Sequence, residues 1–283
     1  MVNIDLLITK KRTKLKLSEL GVVVTDVIDH SPSLSTDIRS VKGRNGGIFN
    51  GATHTSKTID VEGHYTVGSI TESDKLKDEL NGLLADSRPF FITKMLPEDE
   101  ELYAFEIPGE TTGDIDLLNA PHVENHYRWK VLLISDFKEH FRGATAGGLT
   151  FDFSVSFKTV EMPYGETVPK DLTISGSIPY NGTAVNSQLD YPWTLELKAN
   201  TTQSGTFEVT IGGKTYRHES QTPINSGDVF EISGIATYLN HSNVTHRTNY
   251  EYFELDPING NRIPFSTTFI GQAIIKQFKE LYI

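Results

Sequence analysis

Between residues 151 and 157, Phe151, Phe153, Val155 and Phe157 alternate with Asp152, Ser154 and Ser156. A period of two places one set of side chains on each face of a strand, and no helix can present that pattern. The period returns at Tyr127, Trp129, Val131 and Leu133, in Trp193–Ala199 and in Gly205–Ile211. Strands with one apolar face must bury it against a second layer. The chain is therefore read as mainly β.

A helical period occurs once. Leu76, Leu80, Leu83 and Leu84 share one face of a helix. Thr71-Glu72-Ser73-Asp74 resembles a capping box at its start, and Pro89 stops it, which predicts a helix over about residues 72–87. Around it, Val22–Ile28, Phe90–Met95 and Leu102–Ile107 read as strands, Pro97–Glu101 as an acidic turn, and Thr111–Asn125 as a polar loop.

Two prolines and a glycine in Pro163–Pro169 break both periods, which divides the chain into residues 1–165 and 166–283. The second part has short strands and frequent turn signals: Gly212-Gly213, Ser226-Gly227-Asp228 and Asp256–Asn261. Tyr250–Leu255 reads as a further short strand. This spacing reads as a β-sandwich.

Composition narrows the function. At 283 residues with 37% hydrophobic side chains, real cores are possible, yet no window approaches the ~18 apolar residues of a membrane helix. Lys10-Lys11-Arg12 follows the start with no apolar run, so no secretory signal is expected. The Asn-x-Ser/Thr triplets at Asn181, Asn200, Asn240 and Asn243 are then read as chance. The absence of cysteine excludes disulfides, thiolate metal sites and cysteine nucleophiles. A net charge of −11 disfavours nucleic acid.

Lys42-Gly43-Arg44-Asn45-Gly46-Gly47-Ile48-Phe49-Asn50-Gly51 reads as a hairpin, with Asn45-Gly46 supplying the positive φ of a tight turn and Lys57–Tyr65 a following strand. This block resembles the distal tail protein family of long-tailed bacteriophages. Asn181–Ala184 with Tyr191–Leu197, Ser226–Ile232 and Phe253–Asn261 resemble later motifs of that family in the same order, although Pro257 and Gly260 stand farther apart than its usual Pro-Gly-x-Asn. The resemblance implies an α+β N-terminal β-sandwich with extended hairpins that assembles into a hexameric ring, and a galectin-like C-terminal β-sandwich. It implies a virion protein at the tail tip, made in the bacterial cytoplasm. It implies that such a hub joins the tail tube protein, the tape-measure protein, the tail-associated protein and a receptor-binding protein.

A hairpin with an open edge suits assembly, so Arg44, Asn45, Ile48 and Phe49 are candidate interface residues, with the loop 111–125 as a second contributor. No catalytic residue, metal site or cofactor is assigned, and no enzyme is expected. His122 and His126 have the i, i+4 spacing of helical metal ligands, but their flanks read as loop and strand. Glu196, Glu208 and Glu231 fall on the polar sides of strands. Trp193, Tyr250 and Tyr252 are a candidate sugar-stacking surface for host cell-wall carbohydrate, against a simpler reading in which they are core. The alternative to a tail hub is a carbohydrate-binding adhesin of two β domains.

Overall fold

The period-two segments do form strands, and antiparallel pairing organises them. The structure, a computed structural model, describes residues 4–11, 13–98, 121–257 and 261–283. The strand expected at 102–107, most of the loop expected at 111–125, part of the acidic turn at 97–101 and part of the turn at 256–261 lie outside the described residues. The chain divides into two units, one through Gly165 and one from Glu166 to Tyr282. Among the described residues no helix is long and apolar enough to cross a membrane.

The first unit contains β1 (Asp5–Lys10), β2 (Thr13–Lys16), β3 (Val22–Asp29), β4 (Ser33–Ser40), β5 (Gly47–Ser56), β6 (Thr58–Val67), helix α1 (Ile70–Leu84), β7 (Phe90–Pro97), β8 (His122–Glu124), β9 (Trp129–Leu133), β10 (Lys138–Thr145) and β11 (Gly148–Thr159). Its main sheet runs β2-β1-β7-β9-β11-β6-β3, with β10 added to β11 and β8 to β7. An antiparallel bridge between Ile4 and Val24 ties the start of the chain back to β3. The two layers facing each other across the core are thus parts of one curled sheet. Leu6, Val22, Ile59, Val61, Ile92, Trp129, Val131 and Phe157 are each at most 1% exposed in that core.

Helix α1 packs Leu80 and Leu84 into this core, with Leu76 and Leu83 at its margin, as their spacing requires. Its start lies earlier than Thr71. Ser69 Oγ accepts the Glu72 backbone N–H at 3.2 Å and Glu72 Oε2 accepts from Gly68 N at 2.8 Å. The same Ser-x-x-Glu chemistry occurs two residues upstream of the expected cap. The helix ends at Leu84 rather than near Ser87, and Ala85 N donates to the Asn81 carbonyl.

After β12 (Gly165–Glu166), the second unit is built from β13 (Lys170–Ile174), β14 (Ser177–Pro179), β15 (Asn186–Ser187), β16 (Thr194–Ala199), β17 (Phe207–Ile211), β18 (Lys214–His218), β19 (Val229–Ser233), β20 (Ala236–Leu239), β21 (Ser242–Asn243), β22 (Glu254–Leu255), β23 (Arg262–Thr267), β24 (Gly271–Phe278) and β25 (Leu281–Tyr282). One sheet has the order β13-β24-β16-β19-β20-β21 and another β14-β23-β17-β18. Leu195, Leu197, Phe230, Ile232 and Ile275 of the first meet Phe207, Val209, Ile211, Tyr216 and Ile263 of the second in one core, the arrangement of a β-sandwich. The expected strand at 250–255 shrinks to Glu254–Leu255, because Tyr250 adopts φ +58 and breaks the extended run. Among the described residues the protein is mainly β, with two β-rich units and one α-helix.

Candidate functional site

Among the described residues, strands β4 and β5 pair only with each other and form a separate two-stranded sheet. Every residue from 33 to 50 is exposed. With 8 and 10 residues in its strands, the arm extends for roughly 25–30 Å at about 3.3 Å per residue. The register pairs Leu34 with His54, Thr36 with Ala52 and Ile38 with Phe49, which places these side chains on one face. The opposite face carries Ser35 against Thr53, Asp37 against Gly51 and Arg39 against Ile48. One face is therefore apolar, with Leu34 58%, Ile38 57% and Phe49 64% exposed. Its partner face is polar apart from Ile48.

The tight Asn45-Gly46 turn expected from sequence is instead a six-residue connection, Val41–Gly46. Its positive φ angles fall at Gly43 (81°) and Gly46 (79°), and Asn45 keeps a negative one. The strand that returns from the turn is Gly47–Ser56; Lys57–Tyr65 belongs mostly to β6 of the main sheet. Gly47 admits the Ile38 side chain, whose Cγ2 would lie 2.4 Å from an added Cβ. A bulge at Asn50 lets its Nδ2 donate to Asp37 Oδ2 at 3.1 Å. Arg39, Lys42 and Arg44 against Asp37 make the arm cationic in a chain of net charge −11.

The foot of the arm is fixed. Lys57 is 2% exposed and its Nζ lies 2.8 Å from Asp29 Oδ2. Its backbone N–H donates to Thr159 Oγ1 at 2.8 Å. His54 Nδ1 and the Tyr164 hydroxyl are 2.8 Å apart, with their rings edge to face. Such anchoring orients the arm while leaving its apolar face uncovered.

On β6, β11 and β10, the register aligns His64, Asp152 and His140 in one row. Arg142 pairs with Asp152 at 2.8 Å. Burial first, then Arg142, holds the His64 pKa below its ordinary value, with Asp152 opposing. Beside this row, Tyr65 and Ser73 both donate to Glu139 Oε1, at 2.7 and 2.8 Å, and Lys77 pairs with Oε2 at 3.0 Å. Burial raises the Glu139 pKa, but these bonds outweigh it and the net shift is downward. Tyr65 is pushed up to about 12, chiefly by burial. The network ties α1 to β10.

The expected aromatic surface of the second unit is not one surface. Trp193 is 2% exposed within the core, because it immediately precedes β16 with its side chain on the inward side. No sugar can stack on it. Tyr252 is half-buried beneath Lys214 Nζ, 3.9 Å from its ring centroid. Tyr250 is 69% exposed. Close to it, Arg217, Glu219, His246, Arg247, Thr248 and Asn249 line an open cleft of ≈ 370 Å³. The sequence reading missed this cleft, since Arg217 on β18 meets residues 246–249 through long-range contacts: the bridge of His218 to Thr248, and the Asn249 side chain, whose Oδ1 accepts from Arg217 N at 2.9 Å and whose Nδ2 donates to the Thr215 carbonyl at 2.8 Å.

His122 lies on β8 and His126 in the turn after it, so their spacing does not put them on one face. Among the described residues no cluster of three histidine or acidic side chains has the geometry to hold a metal. Glu208 is engaged by Arg217 at 2.6 Å, and Glu196 lies opposite Glu231 on adjacent strands.

By sequence, the chain matches no protein-family model and no curated protein. In fold it is similar to the Dit (gp 19.1) protein of SPP1, described as a paradigm of the hub adsorption apparatus in Gram-positive-infecting phages. That likeness has a TM-score of 0.64 and 14% identity, and it covers 99% of both chains. Structures of the phage P2 baseplate in its activated conformation, with Ca and with Sr, overlap more loosely. Their TM-scores are 0.39 and 0.38 at 9% and 8% identity, covering 98–99% of this chain and 98% of those. The chain thus shares its fold, end to end, with the SPP1 protein.

Proposed function

We propose that this chain is a structural hub subunit of a phage tail tip, assembling as a hexameric ring that joins the tail tube to the tape-measure and tail-associated or receptor-binding proteins. The observation that carries this reading is the fold shared with the SPP1 hub protein over 99% of both chains. The arm adds a physical argument. An isolated two-stranded sheet is marginal in water, yet this one presents Leu34, Ile38 and Phe49 to solvent. A second copy of the chain would cover that face, and a head-to-tail contact repeated by rotation closes a ring.

In this reading Ile48, Phe49, Arg44 and Asn45 lie at the contact between neighbouring copies. Each contact then buries on the order of 1,600 Å², of which the arm supplies the apolar centre. The galectin-like second unit serves contacts with receptor-binding proteins or host carbohydrate. Its role is structural and not catalytic, and the protein belongs to the virion.

Light scattering on the purified chain across a dilution series, with negative-stain images of the same samples, tests the reading. Six-fold rings that dissociate on dilution are expected. A monomer that remains monomeric at the highest soluble concentration and fails to decorate isolated tail tubes would refute it.

A further inference from the structure

Strand β10 borders the main sheet of the first unit. Among the described residues it pairs with β11 alone, and no other backbone hydrogen bond reaches residues 138–145. Alternate N–H and C=O groups of this eight-residue strand therefore point away from the sheet. The other edges of the sheet are shorter or engaged. β2 has four residues and β8 three. β3 is bridged to Ile4 at Val24, and its Val27 carbonyl accepts from Lys94 Nζ at 3.2 Å.

The inward face of β10 is as incomplete as its edge. Tyr65 on β6, Phe151 on β11 and Phe141 on β10 stand opposite one another in one row. Tyr65 stacks on Phe151 with ring centroids 5.6 Å apart, and Phe151 meets Phe141 at 5.3 Å. The row then stops, with Phe141 50% exposed. The next row, Val67, Leu149 and Ala144, stops at an exposed Ala144. On the arm, Ile38 and Phe49 begin a matching apolar row. Ile38 lies on β4, which also has eight residues and pairs on one side only.

We infer that β4 of one copy adds to β10 of the next, antiparallel, with Ile38 opposite Phe141. The contact presupposes the head-to-tail ring proposed above and names the surface that receives the arm. The joined row runs Tyr65, Phe151 and Phe141, then the incoming Ile38 and Phe49. Strand addition supplies main-chain hydrogen bonds to both open edges, and the apolar row fixes the register. Charge selects the antiparallel sense. It sets Asp37, the one acidic residue of the arm, beside Arg142, whereas the parallel sense would set Arg39 there. Arg142 stands at a bulge and pairs with Asp152 at 2.8 Å on the outward face. Pairing of two β10 strands with each other would instead bring together two sets of Lys138, His140 and Arg142. Within one subunit the arm springs from the Thr58 end of β6, whereas β10 flanks the part of β11 opposite Glu62–Val67. The two surfaces are distinct, so the contact repeats by rotation.

The chain has no cysteine, so an introduced pair reports the contact without background. The bulge sets Arg142 and Gly143 together against one residue, which brings Thr36 opposite Ala144, both exposed. The full-length chain carrying Thr36→Cys and Ala144→Cys is oxidised with copper phenanthroline and run on non-reducing gels. A ladder of disulfide-linked species ending at the hexamer is expected. Its yield should exceed by about tenfold that of Ser35→Cys with Ala144→Cys, whose thiols lie on opposite faces. Each single variant should stop at a dimer. Phe141→Asp should raise the concentration needed for assembly at least about tenfold, since half of the ring remains for the arm to cover. Six-fold rings in negative stain without the ladder would overturn this contact and leave the ring reading standing. A ladder without six-fold rings would uphold the contact and refute that reading; neither ladder nor assembly would refute both. A disulfide confined within one chain, equal yield from the Ser35 pair, or unchanged assembly of Phe141→Asp would also overturn the contact.

Discussion

Phe49→Asp separates the two roles an exposed aromatic can have. Full burial of a phenylalanine side chain stabilises by about 3 kcal/mol at the upper end. Since Phe49 is 64% exposed, roughly 2 kcal/mol of that remains for a partner to collect. The substitution forfeits this amount at every contact and adds the cost of enclosing a carboxylate, which is several kcal/mol when unpaired. Each contact should therefore weaken by at least about 30-fold. Within the subunit, Phe49 faces only Ile38 across the arm, a cross-strand pair worth about 0.2–1 kcal/mol. Subunit stability should therefore change by less than about 1 kcal/mol. The assay combines light scattering over a dilution series with urea denaturation of the same preparation. The expected result is a much higher concentration for assembly with a nearly unchanged urea midpoint. Assembly indistinguishable from the parent would refute the reasoning, and so would a loss of subunit stability of 2 kcal/mol or more, which would make Phe49 a core residue.

Other perturbations probe the two units. Gly63→Ala would put a methyl 2.5 Å from both the Phe153 ring and the Val23 carbonyl, so denaturation should show a loss of about 1–3 kcal/mol. Gly82→Ala in α1 meets nothing within 4 Å and should stabilise by about 0.5–1 kcal/mol. Glu139→Gln removes the charge that Tyr65, Ser73 and Lys77 share. It should cost about 1–3 kcal/mol and accelerate amide exchange in residues 70–84. The depressed pKa of His218 fixes the sign of a pH effect. The folded unit keeps the imidazole neutral, whereas the unfolded chain takes up a proton near 6.5. That contribution is complete above 6.5 and is lost as pH falls below it, with a slope of at most about 1.4 kcal/mol per pH unit. Urea midpoints between pH 7.5 and 5 should fall less for His218→Gln than for the parent.

The period-two runs specified their own inner faces. Trp129, Val131, Phe153, Val155 and Phe157 are buried where alternation put them, and Leu80 and Leu84 seat α1 as their spacing demands. These are local consequences of strand and helix geometry, so they are legible in sequence. Cap and turn positions were less legible. Ser69 rather than Thr71 caps α1, and Gly43 with Gly46 rather than Asn45 turns the arm. Several neighbouring residues could each have met those needs, and packing selected among them.

Burial beyond the strand period was a tertiary matter. Trp193 and Tyr250 look alike as aromatic residues near turns, yet one is sealed between two sheets and the other stands in solvent. The cleft of the second unit draws Arg217 and Arg247 together from positions thirty residues apart through the bridge of His218 to Thr248 and the hydrogen bonds of the Asn249 side chain. By itself, the sequence determined that the chain is mainly β with one helix, and which side of each strong strand faces inward, because alternation is a property of neighbouring residues. Only the tertiary structure decided that β4 and β5 leave the sheet as an arm, and that Arg217 and Arg247 line one cleft. Both depend on which strands pair, a choice made by contacts distant along the chain.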